Sequence, residues 1–255
     1  MSLSDQVVRE PPFRCLALTA VSRQGERSHA HPAGQLIFLR RGAMLCQSAS
    51  LRWLLAAGQA GWIPAGVEHS AEAVSDLEGI AAYVDGAAFE SAPERVLIAP
   101  ATRLLGPMLE RMLAYEALAW EGKRSRLAQV IVDEFSQLES LPQRLPLPDE
   151  PRLRRMCQQV LASLDRPWTL DALAAEHGFS RATLTRMFAR HVGLSFGNWL
   201  LQARMLAAVQ ALNAGSEVGA AALAVGYQSF SAFCAAFRRH QGVTPGEFQR
   251  AQSCV

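Results

Sequence analysis

The stretch LAAEHGFSRATLTRMFARHVGLSFGNW at residues 173–199 decides the fold, because its pattern returns as ALAVGYQSFSAFCAAFRRHQGVTPGEF at residues 222–248. A shift of 49 positions places Ser180 on Ser229 and aligns most of the aromatic and basic residues that follow. The C-terminal part of the chain therefore contains one helical pattern twice.

Each copy has the pattern of a short helix, a turn with a glycine and a second helix that starts at a serine. Gly178 and Gly226 suit turn positions with a positive φ, which glycine adopts at little cost. They are 48 positions apart, so the second copy has one additional turn residue. Ser180 and Ser229 are the predicted N-caps. The apolar face of the first capped helix is formed by Leu184, Met187 and Phe188. This arrangement is a helix-turn-helix, whose second helix enters the DNA major groove.

The doubled pattern resembles the DNA-binding domain of AraC-type transcriptional regulators over residues 152–250. The resemblance includes WTL at residues 168–170, a long helix around residues 198–212, GY at residues 226–227 and GVTP at residues 242–245. Two copies at this spacing with this closing motif disfavour an ordinary helical bundle with accidental repeats. The resemblance implies an all-α domain with two helix-turn-helix units that bind double-stranded DNA.

In this family the bases are read by residues just inside each recognition helix and one turn later. The first helix has Arg181, Ala182, Thr185 and Arg186 at these positions, and the second has Phe230, Ser231, Ala232 and Ala235. Further DNA contacts are expected from Arg190, Ser229, Arg238 and Arg239, of which the arginines lie where phosphates would be held. The alternative for Arg186 is an ion pair with Glu176 that keeps it away from DNA.

Charge is distributed unequally along the 255 residues, which are enough for two domains. Residues 1–150 contain 14 basic and 18 acidic side chains, a balance of −4, and residues 151–255 contain 11 arginines and 5 acidic side chains, a balance of +6. A basic domain suits phosphate binding, and arginine suits bidentate contacts with phosphate or guanine. Taken alone, this charge would fit an ordinary solvated face.

The N-terminal part is predicted to be β. Short apolar stretches at residues 13–18, 35–39, 43–47, 51–55, 61–63 and 80–84 alternate with Gly- and Pro-containing turns. Many short strands at such spacing indicate a small barrel or jelly roll. The fold class is therefore α+β, with a β-barrel before the helical domain.

Four polar residues in the predicted barrel resemble the two sequence motifs of the cupin family, a jelly-roll barrel. His29, His31 and His69 match the metal-binding histidines of cupins, and Gln35 stands where the family has Glu. The resemblance implies one divalent ion, Zn²⁺, Ni²⁺, Fe²⁺ or Cu²⁺, and the H-x-H pair would place two ligands on one side of a strand. The alternative is that these side chains only line a pocket for a small-molecule effector.

Residues 101–139 are predicted to form two amphipathic helices. One stripe contains Leu104, Leu105, Met108, Leu109, Met112 and Leu113, and the other contains Leu127, Val130, Ile131, Phe135 and Leu138. The pair resembles the helical hairpin through which AraC-type sensors dimerise, so a homodimer is expected; the alternative is that both stripes cover the barrel. Residues 141–151, LPQRLPLPDEP, contain four prolines and are predicted to be a stiff linker.

Five scattered cysteines without C-x-x-C pairing predict free thiols in a reducing compartment. The first residues, MSLSDQVVREPPF, have no apolar core of signal-peptide length, and no apolar run reaches membrane-spanning length. A cytoplasmic, nucleoid-associated protein without a membrane partner is therefore expected.

These observations predict a sequence-specific transcription regulator with four segments. Residues 1–100 form a cupin-like sensor, residues 101–140 a helical hairpin, residues 141–151 a linker and residues 152–255 the tandem helix-turn-helix domain. No catalytic residues are expected. The competing class is a cupin dioxygenase or isomerase with a helical appendage, and a third is an architectural DNA binder without an effector.

Overall fold

The computed structural model describes residues 11–117, 120, 122–139 and 144–253. The predicted absence of a signal peptide concerns residues that mostly lie outside this part, as do Cys254 and residues 141–143 of the predicted linker. The first nine strands are β1 (Phe13–Ala20), β2 (Gly25–His29), β3 (Gly34–Arg41), β4 (Ala43–Ser48), β5 (Leu51–Ala56), β6 (Gln59–Ile63), β7 (His69–Ala73), β8 (Leu77–Val84) and β9 (Leu97–Pro100).

The strands form two antiparallel five-stranded sheets that face each other, as in a jelly roll. The order of sheet A is β1-β8-β3-β6-β9. Sheet B has the order β10-β5-β4-β7-β2, in which β10 (Arg144–Pro146) comes from the end of the N-terminal part. The predicted β-barrel is confirmed, and each of the six predicted stretches is a strand.

Both faces of sheet A are covered, which explains the continuous apolar run at residues 36–39 of β3. Residues 35–39 are all buried. Side chains alternate between the faces of a strand, so Ile37 and Leu39 pack in the barrel interior. Leu36 and Phe38 instead pack against the helices that follow the barrel.

Two helices, α1 (Leu105–Ala114) and α2 (Lys123–Ser136), form the predicted hairpin on the outer face of sheet A. The buried residues of the two stripes pack against this sheet and are Leu105, Leu109, Met112, Ile131 and Phe135. Leu104 and Val130 remain 62% and 52% exposed. The hairpin therefore covers the barrel with most of its apolar residues.

The C-terminal part is all-α. Its helices are α3 (Pro151–Leu161), α4 (Leu170–Glu176), α5 (Arg181–His191), α6 (Phe196–Asn213), α7 (Val218–Ala224), α8 (Phe230–Gln241) and α9 (Pro245–Ser253). The pairs α4–α5 and α7–α8 are the two helix-turn-helix units, and α6 joins them. The turn between α7 and α8 has one more residue than the turn between α4 and α5, as the glycine spacing predicts.

The predicted linker is not a free connection, which is a correction to the sequence prediction. Arg144–Pro146 form the edge strand β10 beside β5, and the Leu147 amide donates to the Ser50 carbonyl at 2.8 Å. Proline is tolerated on an edge strand because no partner needs its missing N–H. Leu145 is fully buried in the core of the helical part. The segment thus belongs to both the barrel and the helical domain.

The helical domain packs against the outer face of sheet B. Leu45 and Leu54 of the barrel belong to the same buried cluster as α3 and α6. The indole Nε1 of Trp199 donates to the Pro146 carbonyl at 2.8 Å, and Arg154 donates to the Ala49 carbonyl at 2.5 Å. Apolar packing and hydrogen bonds from side chains to backbone carbonyls therefore hold the two parts together.

Two further predictions concern free cysteines and membrane-spanning segments. Within the described residues the cysteines are unpaired, and burial raises the pKa of Cys15, Cys46 and Cys157 to about 12. Cys234, on α8, is half-buried. Among the described helices, none combines the length and the apolar character that crossing a membrane requires.

Candidate functional site

The start of each recognition helix is fixed by the turn that precedes it. Gly178 and Gly226 have φ values of 70° and 83°, a conformation that side chains with a Cβ rarely adopt. The Ser180 hydroxyl accepts a hydrogen bond from the Thr183 amide at 3.1 Å, and the Ser229 hydroxyl accepts one from the Ala232 amide at 3.3 Å. Both predicted caps are present, so α5 and α8 begin where the sequence indicates.

The predicted DNA-contacting residues of α5 are all exposed, namely Arg181, Ala182, Thr185, Arg186 and Arg190. Leu184 and Phe188 on the opposite face are fully buried. The guanidinium of Arg181 forms an ion pair with the Asp171 carboxylate of α4, which the sequence did not indicate. The hydroxyl of Thr185 donates back to the Arg181 carbonyl at 2.9 Å, so it offers DNA mainly an acceptor and a methyl group.

Arg186 does not form the ion pair considered from the sequence. Within the described residues, the Glu176 carboxylate instead accepts a hydrogen bond from Gln159 at 2.5 Å. Arg186 makes a long contact of 3.5 Å with the Thr183 hydroxyl. Its guanidinium therefore remains available on the outer face of α5.

The predicted contact residues of α8 are likewise exposed, namely Ser229, Ser231, Arg238 and Arg239. The hydroxyls of Ser229 and Ser231 lie 2.9 Å apart and share a hydrogen bond. Burial lowers the pKa of His240 in the last turn, which favours its neutral form. The positive charge of this turn then comes from its two arginines.

Three imidazoles meet at one edge of sheet B. His29 is the last residue of β2 and is paired across the ladder with His69, the first residue of β7. His31 lies beyond the end of β2, so the H-x-H pair is not within one strand as expected. The ring centroids are nevertheless 4.6–5.4 Å apart. One candidate ligand atom from each ring lies within 4.8 Å of the other two.

Backbone carbonyls fix the orientation of all three imidazoles. The Nδ1 atoms of His29, His31 and His69 lie 2.9–3.0 Å from the carbonyls of Arg27, Ala33 and Val67. A carbonyl can only accept, so each Nδ1 carries the proton, and Nε2 is the ring nitrogen that would bind a metal ion. Among the residues that the structure describes, the buried Nε2 of His31 has no hydrogen-bond partner. This donor set fits a divalent metal ion, whose histidine ligands usually donate their other N–H to a carbonyl.

Gln35 lies close to this cluster but is engaged elsewhere. Its amide donates to the Tyr83 hydroxyl at 3.2 Å, and its strand position is paired with Tyr83 across β3 and β8. The Tyr83 ring packs edge-on against His31, with centroids 5.1 Å apart. The sequence did not single out Tyr83, because its only signal is the alternation of side chains along β8, which directs the ring into the barrel.

Two cavities meet at Tyr83 and Leu16. The inner cavity, about 250 Å³, lies between the two sheets and is lined by Gln35 and His69 among mostly apolar residues. The outer cleft, about 560 Å³, contains His31 and Arg14. The histidine cluster therefore lies beside a cavity large enough for a small molecule.

The protein combines a barrel that contains a ligand-sized cavity with two helix-turn-helix units. This combination defines its class as a ligand-responsive DNA-binding regulator. The profile of the AraC-like ligand binding domain matches residues 16–182, and that of a helix-turn-helix domain matches residues 173–251. The chain belongs to the AraC family of transcriptional regulators.

Known relatives agree with this membership. The chain is similar to the HTH-type transcriptional regulator NimR of Escherichia coli (strain K12), with 30% identity over 86% of this chain and 81% of the relative. It is also similar to the HTH-type transcriptional regulator RipA of Corynebacterium glutamicum, with 32% identity over 61% of this chain and 46% of the relative. Among solved structures, ToxT from Vibrio cholerae shares 10% identity, with a TM-score of 0.41, over 94% of this chain and 97% of that chain.

Proposed function

We propose that this regulator responds to a divalent metal ion or a small molecule bound at the histidine edge of the barrel. The observation that supports the proposal is the convergence of three oriented imidazoles, with the Nε2 of His31 buried and unpartnered. An unsatisfied buried polar atom costs about 1–3 kcal/mol, so a ligand on this atom would remove a penalty. His29, His31 and His69 would hold the ion, which would supply a positive charge with open coordination positions.

Sensing explains this site better than turnover does. The same cluster could in principle serve a cupin-type enzyme, but the chain combines it with two capped recognition helices, and the relatives that it matches bear the names of regulators. The conclusion is a barrel that binds its ligand in order to change DNA binding.

On DNA, the proposal places α5 and α8 in two successive turns of the major groove. Both recognition helices have exposed arginines, and α6 holds the two units in one buried core. The functional unit is a homodimer that pairs through the α1–α2 hairpin, where Leu104 and Val130 stay exposed.

Metal binding to the histidine cluster is the first testable prediction. Untagged protein is stripped with a chelator and titrated with Zn²⁺, Ni²⁺, Fe²⁺ and Cu²⁺, with the metal content and the melting temperature as readouts. At least one ion should bind in a 1:1 ratio and raise the melting temperature, because it binds only the folded state. His29→Ala and His69→Ala should each abolish binding and this stabilisation.

The two variants separate ligation from packing. His69 is 2% exposed and its loss can destabilise the barrel by itself, whereas His29 is half-buried and its variant should remain folded. His191→Gln, far from the cluster, is the matched control and should bind metal normally. A metal-free wild-type protein that still responds fully to a small molecule would exclude the metal and leave the pocket-lining role.

A further inference from the structure

The first turn of α8 differs chemically from the first turn of α5. The repeat of 49 positions places Phe230 opposite Arg181 and Ala235 opposite Arg186. Arg181 is paired with Asp171 of α4, whereas α7, with the sequence VGAAALA, has no acidic residue that could hold an arginine. The second unit therefore has apolar groups where the first has guanidinium groups.

Phe230 is the most prominent of these groups. It is the first residue of α8, and 59% of its surface is exposed. Side chains tilt towards the N-terminus of a helix, so the ring projects ahead of the helix end that approaches the groove. The hydroxyls of Ser229 and Ser231 bond to each other, and Ser229 also caps the helix. The apolar ring, together with the exposed methyls of Ala232 and Ala235, thus forms most of the surface that a base edge would meet.

The charge of α8 indicates the occupant of this surface. Arg238 and Arg239 in the last turn are exposed on the same helix and suit the DNA backbone. In the major groove, the apolar group that distinguishes one base from another is the C5-methyl of thymine, for which Phe and Ala are suitable partners. A helix with phosphate-binding arginines and an apolar tip is therefore complementary to thymine-containing DNA.

We propose that α8 recognises thymine by apolar contact with its C5-methyl group, and that Phe230 is the residue that determines this preference. The inference rests on the proposed placement of α8 in the major groove. It predicts that the second half-site is read by methyl groups, while the first half-site is read by the guanidinium of Arg186.

Deoxyuridine provides the test, because it pairs like thymidine but lacks the methyl group. The full-length protein first selects its preferred duplexes from a random-sequence library. Each thymine of a selected duplex is then replaced singly by deoxyuridine, and the affinity is measured at fixed salt. At a thymine under α8 the wild type should lose about fourfold in affinity, as expected for one buried methyl-sized group.

The protein variants assign the effect to Phe230. Phe230→Ala should bind the thymine duplex more weakly and should no longer distinguish thymine from uracil at that position. Phe230→Leu should retain part of the preference. Leu223→Ala on α7, where the side chain is also 59% exposed, is the matched control and should respond to deoxyuridine as the wild type does.

Three results would overturn the inference in distinguishable ways. Wild type that is indifferent to every deoxyuridine substitution in the second half-site would show that no methyl is read. Full discrimination by Phe230→Ala would assign the methyl contact to another residue. Failure to enrich any sequence would contradict the placement of both recognition helices in DNA, and with it the proposed DNA-binding mode.

Discussion

At the scale of single residues, the arginines of the two recognition helices are expected to serve different purposes. Arg186 lies one turn into α5 and is exposed, and within the described part of the chain its guanidinium makes one long contact, with Thr183. Such a guanidinium can bond with both major-groove acceptors of a guanine. Arg239 lies in the last turn of α8, further from the helix end that enters the groove, where a phosphate is the nearer partner.

Substitution of each arginine should therefore have a different signature. Arg186→Ala should relax the preference at one or two base pairs, with a loss of discrimination of roughly 1–3 kcal/mol. Arg239→Ala should weaken binding to all sequences alike and reduce the slope of log affinity against log salt by about one unit. Randomised-site selection measures the sequence preference of both variants, and salt titrations measure their salt slope. An unchanged sequence preference for Arg186→Ala would contradict its assignment as a base-reading residue.

The residues that could be predicted from the sequence are those that obey local rules. The caps Ser180 and Ser229 follow from their position before an amphipathic helix, and the three histidines follow from motif spacing. The pair of Arg181 with Asp171 joins two helices across a turn and has no periodic signal. Tyr83 is equally hidden, since its role depends on the neighbour that sheet pairing gives it.

At the scale of elements, the α1–α2 hairpin combines two tasks. Nine of the eleven residues in the two apolar stripes, with the fully buried Leu109 and Ile131 among them, pack in the buried cluster against sheet A. Leu104 and Val130 are left exposed at 62% and 52%. Because isolated exposed apolar residues are common, their role in pairing two chains has to be tested directly.

A charge on the exposed side of α2 should weaken the dimer. Val130→Glu would place a carboxylate in an apolar contact between two chains, and an unpaired buried charge costs several kcal/mol. Sedimentation equilibrium should therefore show a dimer for the wild type and a shift to monomer for the variant, without a loss of helix content. Lys123→Gln changes the net charge by the same single unit at an exposed position of the same helix and should remain dimeric. A wild type that is monomeric at all concentrations would contradict the proposed interface.

The elements themselves could be predicted where their residues have a strong pattern. The recognition helices α5 and α8 follow from their predicted serine N-caps, and the hairpin helices α1 and α2 follow from their apolar stripes. The strands β3, β4 and β5 follow from short apolar runs. Strand β2, with the sequence GERSH, is the edge strand of sheet B, and β7, with HSAEA, lies beside it; both contain polar residues and lack that pattern. Strand β10 was not predicted, because the prolines of residues 141–151 indicate a linker, although an edge strand tolerates Pro146.

At the scale of the whole molecule, sheet B connects the candidate effector site to the DNA-binding domain. One edge is β2, which ends at His29, and the other is β10, which leads into α3. Between these edges, Leu45 and Leu54 pack on the helical domain. A shift of β2 or β7 on ligand binding would therefore act on the same sheet that supports α6, which joins the two recognition units.

This docking could not be predicted from the sequence. The unequal charge of the two halves indicated two domains, and the apolar runs AMLC in β4 and WLLA in β5 indicated strands. In the structure these two runs are buried on both faces. The outer face of these strands is covered by α3 and α6, which lie about 100 residues or more away in sequence. No local sequence signal identifies these helices as the partners. Only the fold reveals that the two domains share one apolar core.

The domain boundary provides the last prediction. In the structure, Leu145 and Leu147 are buried with the helical core, and the Trp199 indole donates to Pro146. In addition, the Glu150 carboxylate caps α3 by accepting from the Leu153 amide at 2.5 Å. A fragment of residues 144–255 should therefore be more stable than one of residues 151–255, by about 1 kcal/mol or more from the lost cap alone.

Urea unfolding measures the stability of the two fragments, and a titration with duplex DNA measures their DNA binding. Both should bind duplex DNA with a strong salt dependence, because both contain the two recognition helices and the basic charge of this domain. Residues 1–139 should not bind DNA, since the N-terminal part has a net negative charge. Equal stability of the two helical fragments would show that residues 144–150 belong to the barrel alone. DNA binding confined to the barrel fragment would contradict the division of function between the two domains.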